Sequence, residues 1–250
     1  MEFATLKKDV WGREVILGAS WDLLWVILAL TFIGIAMHAI IAAAKKRKAA
    51  PDSSGKRIER HEKIDRIFHW VMAVSMFVLL ITGIFPKIGI EFAWLTIHWV
   101  AGLLLTVITI FHIFRSIFWQ NIKDMWIGLK DFKEPFDESY KPGKYSLAQK
   151  SMHASVTILT LLVIVSGIIM FALIDTPWWE RTNALSEDIL GWVFLIHGLV
   201  SLALVAVISL HIYFGLRPEK LFYTRSMIKG WISEHEKDEN HDQEKWVVKD

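Results

Sequence analysis

The chain has 250 residues, 54% of them hydrophobic, and a mean hydropathy of +0.38, too apolar for an ordinary soluble domain of this length. The formal net charge of +2 says little as a total, but the absence of cysteine excludes disulfides, cysteine-held iron–sulfur clusters and covalent c-type haem attachment. Any redox centre must be held by other side chains, and ten histidines are present to do so, beside 13 tryptophans of the kind that gather at membrane–water interfaces.

In chain order, five apolar stretches are long enough to cross a bilayer, which takes roughly 20 helical residues: Leu23–Ala44, Ile67–Phe85, Phe92–Phe114, Ser151–Ile174 and Ile189–Leu216. Their length and lack of alternation argue against strands. In hydrocarbon the backbone must satisfy itself, so all five are expected to be helices. The expected fold is an all-α integral membrane bundle: a four-helix core at 58–232, an N-terminal segment with one extra helix at 1–57, and a charged tail at 233–250. A signal peptide is the competing reading of the first stretch. Its long flank, the lack of a small-residue cleavage site and the basic Lys45–Lys48 after it favour a spanning helix. Ala49–Gly55 reads as a linker, Ser233–Asp250 as mobile, and Asn121–Lys133 and Thr224–Ile232 as segments on the inner membrane surface. No internal repeat stands out.

Charge orients the bundle. Lys45–Arg66 carries nine Lys and Arg, Arg115–Lys150 seven, and the chain from Arg217 onward seven. Pro86–Glu91 and Asp175–Asp188 carry one each, and Met1–Asp22 three. The basic excess belongs inside, which puts the N-terminus outside and the C-terminus inside, consistently across five crossings.

An ionisable side chain in a membrane helix is costly and asks for a reason. Seven histidines lie in or at the ends of these stretches: His38, His69, His98, His112, His153, His197 and His211. His98 and His112 are 14 residues apart, as are His197 and His211. Fourteen helical residues turn about 1400°, close to four full turns, and rise about 21 Å. Each pair therefore runs along one stripe, with one member near each membrane face. That is the geometry for two stacked haems held by imidazoles from facing helices. By depth, His98 pairs with His197 on the outer side, and His211 takes either His69 or His112 on the inner side. Gly83, 14 residues after His69 on its stripe, and Gly102, one turn after His98, are places where glycine admits either a flat ring or a close helix neighbour. His38 reads as an interfacial or hydrogen-bonded residue. His61, His235 and His241, in charged surroundings, read as solvated.

Asp65-Arg66-Ile67-Phe68-His69-Trp70 resembles the D-R-x-x-H-W that opens a haem helix in the gamma subunit of formate dehydrogenase-N and its b-type cytochrome relatives in nickel–iron hydrogenase and thiosulfate reductase. His98-Trp99-Val100-Ala101-Gly102 is similar to that family's H-x-x-x-G. Gly143-Lys144-Tyr145 with Gln149-Lys150 is similar to its G-K-Y-x-x-x-Q-K loop, and His197 with His211-Ile212-Tyr213 to its last haem helix. Ser226 with Lys229-Gly230 matches the segment that follows. The likeness spans roughly 58 to 232 and implies two haem b groups, an outer one on His98 and His197 and an inner one on His69 and His211. It also implies a quinone, menaquinone or ubiquinone, beside the inner haem at Ser146, Ala148 and Gln149. The extra first helix, His112, His153, and Ser146 and Ala148 in place of Asn and Gly are departures from the family pattern.

From the residues themselves, Lys144, Tyr145, His112 and His153 join the quinone-site candidates. His153 is the proton-relay candidate, because an imidazole titrates near operating pH. Arg66 and Arg115 sit at inner-haem depth and are candidates for the propionates, with positive-inside anchoring the alternative role. Nothing in the chain suits oxidation of a primary substrate. The resemblance implies an iron–sulfur subunit at the outer face, joined to a molybdenum or nickel–iron catalytic subunit, in a bacterial or archaeal cytoplasmic membrane. Two other readings stand beside it: a nitrate-reductase-type quinol-oxidising cytochrome b subunit, whose histidine spacing differs, and a histidine-lined ion transporter. The latter calls for acidic groups inside the helices, and these stretches carry none between their ends.

Overall fold

The computed structural model describes residues 3–10, 12–44, 53–137 and 139–247. The basic Lys45–Lys48 and the start of the linker fall outside them. Five long helices form where the apolar stretches predict them: α1 (Asp22–Ala44), α2 (Lys63–Ile84), α3 (Trp94–Phe118), α4 (Leu147–Phe171) and α5 (Glu187–Gly215). Each is long and apolar enough to cross a membrane. Their outward side chains are large and apolar, among them Leu30 and Val107 at 65% exposed and Ile158 at 59%. Such surfaces suit lipid and not water. The chain is a multi-pass membrane protein.

Helix ends carry local signals. Asp22 opens α1, and Glu187 and Asp188 open α5, where acidic groups meet the positive end of the helix dipole. α2 begins four residues before the apolar run and takes Asp65 and Arg66 into its first turns. It runs into a 3₁₀ turn at Phe85–Ile88, started by Pro86 and stopped by Gly89 at φ 88°.

Elements the apolar pattern did not announce surround the bundle. β1 (Ala4–Lys8) and β2 (Glu14–Ala19) form an antiparallel hairpin. β3 (Arg57–Glu59) pairs antiparallel with β4 (Trp231–Ser233), Ile58 opposite Ile232. Between α5 and β4 lies α6 (Leu221–Lys229), ended by Gly230 at φ 93°. The last helix is α7 (Glu234–Asn240). This last region corrects the expectation of a mobile tail. Ser233 caps α7, its hydroxyl accepting from the Glu236 N–H at 3.2 Å while the Glu236 carboxylate accepts from the Ser233 N–H at 2.7 Å. Ile232 and Trp246 then pack on Phe222 as a small apolar core.

By contacts the chain divides into two compact units that cut across the helices. One comprises 1–36, 75–106 and 156–209, the other 37–74, 107–155 and 210–250. In the first, Leu23, Leu24 and Leu202 form a core cluster with Trp21, Ile27 and Leu199 against it. The hairpin docks on α5 where glycine leaves space. A Cβ at Gly191 would strike the Ile16 carbonyl oxygen, and one at Gly198 would stand 2.7 Å from the Ala19 Cβ.

Candidate functional site

Each unit brings together a histidine of α5 with one from another helix. In the first unit, His98 in the first turns of α3 and His197 of α5 have ring centres 6.4 Å apart. In the second, His69 of α2 and His211 of α5 also stand 6.4 Å apart. Imidazole nitrogen binds a first-row metal at about 2 Å and lies about 1 Å from its ring centre, so two rings on opposite faces of one metal stand roughly 6 Å apart. The side chains present therefore fit an iron group that each pair of imidazoles would hold, an arrangement that would favour electron transfer over oxygen chemistry.

The surroundings of the first pair are worked out in detail. Thr82 Oγ1 lies 2.8 Å from His98 Nδ1, and Ser166 Oγ 2.9 Å from His197 Nδ1. Gly83 and Gly167 follow these hydroxyls, and a Cβ on them would stand 3.6 Å and 3.4 Å from Cε1 of the same two rings. Gly83 thus faces the His98 imidazole, whereas Gly102 faces Leu79 of α2 in ordinary helix packing.

His112, the other histidine offered to His211, stands near the second pair. His112 has its ring centre 4.6 Å from that of Phe68 and 6.0 Å from that of His153. α3 and α4 therefore contribute a further pair that does not include His211. Arg66 donates to the Ile228 carbonyl at 2.6 Å, and its buried Nε has no hydrogen-bond partner among the described residues. Arg115 donates at 2.6 Å to Asp65 from Nε and at 2.6 Å to Glu62 from Nη2, and Gln120 shares Asp65 at 2.8 Å. Of the two arginines named for propionates, Arg115 is held by two carboxylates and Arg66 keeps one free donor.

The loop before α4 carries the remaining candidates. Ser146 and Gln149 form a reciprocal cap on α4: the Ser146 N–H donates to Gln149 Oε1 at 3.0 Å, and the Gln149 N–H donates to Ser146 Oγ at 3.2 Å. Lys150 is bound by Asp131 at 2.8 Å, and Ala148 is exposed on the first turn. Lys144 and Tyr145 are partly buried. Burial, then the Arg60 guanidinium, lowers the Lys144 ammonium from its ordinary range, and burial pushes the Tyr145 phenol up to about 12.

Two residues that sequence reasoning missed hold this loop. Arg60 is 2% exposed and has no carboxylate partner among the described residues. It donates to the Lys144 carbonyl at 2.7 Å and from Nη1 to His241 Nε2 at 3.1 Å. Its guanidinium stands 4.5 Å from the Tyr223 ring centre and 5.2 Å from that of Tyr145. His241 Nε2 accepts from Arg60, so its Nδ1 carries the proton and donates to the Gly143 carbonyl at 2.6 Å. The expected solvation of His61 and His241 is therefore corrected. Burial, then Arg60, holds His61 down at about 2 and His241 at about 3. The visible signals were the cap pattern Ser233–Glu236 and the aromatic Trp246 within a charged run. His38 is engaged too, its Nδ1 lying 2.9 Å from both the Tyr213 hydroxyl and Arg217 Nη1.

Comparison with known proteins gives two findings. Residues 60–230 match the family described as prokaryotic cytochrome b561. The formate dehydrogenase cytochrome b556 subunit of Haemophilus influenzae is 26% identical over 204 residues, covering 72% of this chain and 79% of that protein. The cytochrome b556(fdo) subunit of the Escherichia coli formate dehydrogenase is 24% identical, covering 70% and 86%. A probable Ni/Fe-hydrogenase B-type cytochrome subunit of Bradyrhizobium diazoefficiens is 29% identical, covering 74% and 90%.

Proposed function

The chain belongs to the prokaryotic cytochrome b561 family, and we propose that it is a di-haem membrane subunit that carries electrons between an outer-face oxidoreductase and a quinone near the cytoplasmic face. A membrane cytochrome b with an electron-transfer role follows from the family and the five helices. The single observation that carries the finer reading is the repeated spacing of 6.4 Å in two histidine pairs, one in each unit.

In this reading His98 and His197 hold the outer haem b, and His69 and His211 the inner one. Haem b supplies one-electron redox chemistry when bound. The protein would contribute imidazole ligands, an apolar surround and fixed positions. Arg66, with a free buried donor, is the candidate to meet a propionate. His112 and His153 form the proton-handling pair for the quinone, and the 143–149 loop borders its site, with Lys144 and Tyr145 as partly buried donors. The Lys and Arg distribution supports an N-terminus outside and a C-terminus in the cytoplasm of a bacterial or archaeal cell. The named relatives are subunits of formate dehydrogenase and Ni/Fe hydrogenase. The partners proposed here are accordingly an iron–sulfur subunit and a molybdenum or nickel–iron catalytic subunit.

Difference spectroscopy of membranes tests the ligand assignment. The wild type is expected to show two reducible low-spin b components, His98→Ala to lose one and His69→Ala the other. Loss of the same component in both variants would contradict the pairing.

A further inference from the structure

The hydroxyls beside the outer histidines each lie between a helix carbonyl and an imidazole nitrogen. A hydroxyl carries one proton. Thr82 Oγ1 donates its proton to the Val78 carbonyl one turn back, at 2.7 Å, with the Leu79 carbonyl at 3.2 Å. Ser166 Oγ donates to the Leu162 carbonyl at 2.8 Å, with the Val163 carbonyl at 3.2 Å. Only lone pairs are left to face the imidazoles at 2.8 Å and 2.9 Å. Thr82 is 3% and Ser166 5% exposed, so both contacts are buried. Two facing lone pairs at that distance in an apolar interior are repulsive and leave both groups unsatisfied. While each hydroxyl donates to its carbonyl, the contact is favourable when Nδ1–H donates to the hydroxyl, and a neutral imidazole with its proton on Nδ1 has a free lone pair on Nε2.

We propose that Thr82 and Ser166 are positioning residues for the outer histidine pair, each accepting from Nδ1–H and so fixing the ring and the tautomer whose Nε2 can bind iron. The arrangement occurs twice. Thr82-Gly83 on α2 serves His98 on α3, and Ser166-Gly167 on α4 serves His197 on α5. It is a local repeat that the sequence does not announce, because the partners are 16 and 31 residues away. Back-bonding to a carbonyl one turn earlier is a habit of helical Ser and Thr, and Thr106, Ser201 and Ser209 share it. Among the described residues, none of those three is hydrogen-bonded to an imidazole. Nor is a ring nitrogen of His69 or His211 hydrogen-bonded to a side chain among the described residues. The two pairs are therefore held differently. A ligating imidazole that donates its other N–H becomes a more basic ligand, which favours ferric over ferrous iron. The hydroxyls lower the potential of the outer haem relative to the same ligands without them, and leave the inner haem alone.

This inference rests on the haem assignment proposed above, and the test separates the two. The intact complex is purified as wild type, Thr82→Val, Ser166→Ala, the double variant and the conservative Thr82→Ser. Haem content, low-spin electron paramagnetic resonance and the midpoint potential of each haem are then measured. Wild type and Thr82→Ser are expected to match. Thr82→Val and Ser166→Ala should each shift the outer low-spin signal and move its midpoint to a more positive value, with the double variant shifting furthest and the inner component staying in place. Loss of the outer haem in Thr82→Val that Thr82→Ser restores supports the role as well. A double variant with two haems and an unchanged outer signal overturns the proposal, and so does an equal shift of both haems. Wild-type protein that holds no haem overturns the functional reading itself.

Discussion

An arginine buried among aromatic rings with no carboxylate is the residue-scale feature least expected here. Arg60 is tolerated because the Lys144 carbonyl and His241 accept from it and the rings of Tyr145, Tyr223 and Trp246 surround it. Truncating it to Ala removes the donor of the Lys144 carbonyl and leaves His241 Nε2 to the Tyr223 hydroxyl at 3.1 Å, at about 1–3 kcal/mol for the unsatisfied carbonyl. Its burial was not legible in the sequence, because Arg60 and His241 both sit in charged runs, and 181 residues separate them. His98 and His197 were legible, since a helix converts sequence spacing into depth. Depth leaves His211 open to either His69 or His112, and the D-R-x-x-H-W resemblance alone favours His69. In the structure His211 faces His69, and His112 faces His153. His112→Ala is therefore expected to retain both haems and to slow quinone turnover, whereas His69→Ala loses the inner haem. Pyridine haemochrome content and quinol-dependent turnover check this, and haem loss in His112→Ala alone would reverse the assignment.

At the scale of elements, the five helices follow from apolar runs, but their ends do not. α2 starts at Lys63 and not Ile67, because charged residues at a membrane edge continue a helix without adding to its hydropathy. The hairpin escaped because its strands are short and mixed in polarity, and its support comes from glycines on α5. Gly198→Val places side-chain atoms where Ala19 sits. Overpacking costs about 1–3 kcal/mol, enough to raise the undocked fraction by roughly fivefold to more than about a hundredfold. Trypsin should then cut at Lys7, Lys8 or Arg13 correspondingly faster while haem content is unchanged. An unchanged cleavage rate would mean the hairpin is held by something else. The folded C-terminal segment carries a pH signature. His241 is neutral when docked, held at about 3 against an ordinary 6.5, with Arg60, Lys220, Lys237 and Tyr223 around it. A base whose folded value is depressed contributes fully above about pH 6.5. That contribution declines as pH falls from there toward the folded value, by up to about 1.4 kcal/mol per pH unit. Hydrogen exchange across 234–247 should accelerate between about pH 7.5 and about pH 5.5 after correction for the intrinsic rate, and His241→Gln should flatten much of that response. The same slope in His241→Gln would assign the effect elsewhere.

For the whole molecule, membrane insertion and family were within reach of the sequence because both rest on patterns tens of residues long. The division into two units was not, since it cuts through all five long helices and depends on which ends pack together. Orientation rests on charge: five crossings would put the three most basic segments, from Lys45, Arg115 and Arg217, on one side. A C-terminal reporter active only in the cytoplasm is expected to be active, and activity of a periplasm-specific reporter would invert the outer and inner assignments together. The ion-transporter reading predicts a colourless protein, and the cytochrome reading a red one. The most direct test of the account is the haem content of the purified chain in its complex, measured with a redox titration of the same sample. The account predicts two non-covalent b haems per chain with separate midpoints, all extractable by acid acetone. A content near zero, a single haem, or haem that resists extraction would contradict it.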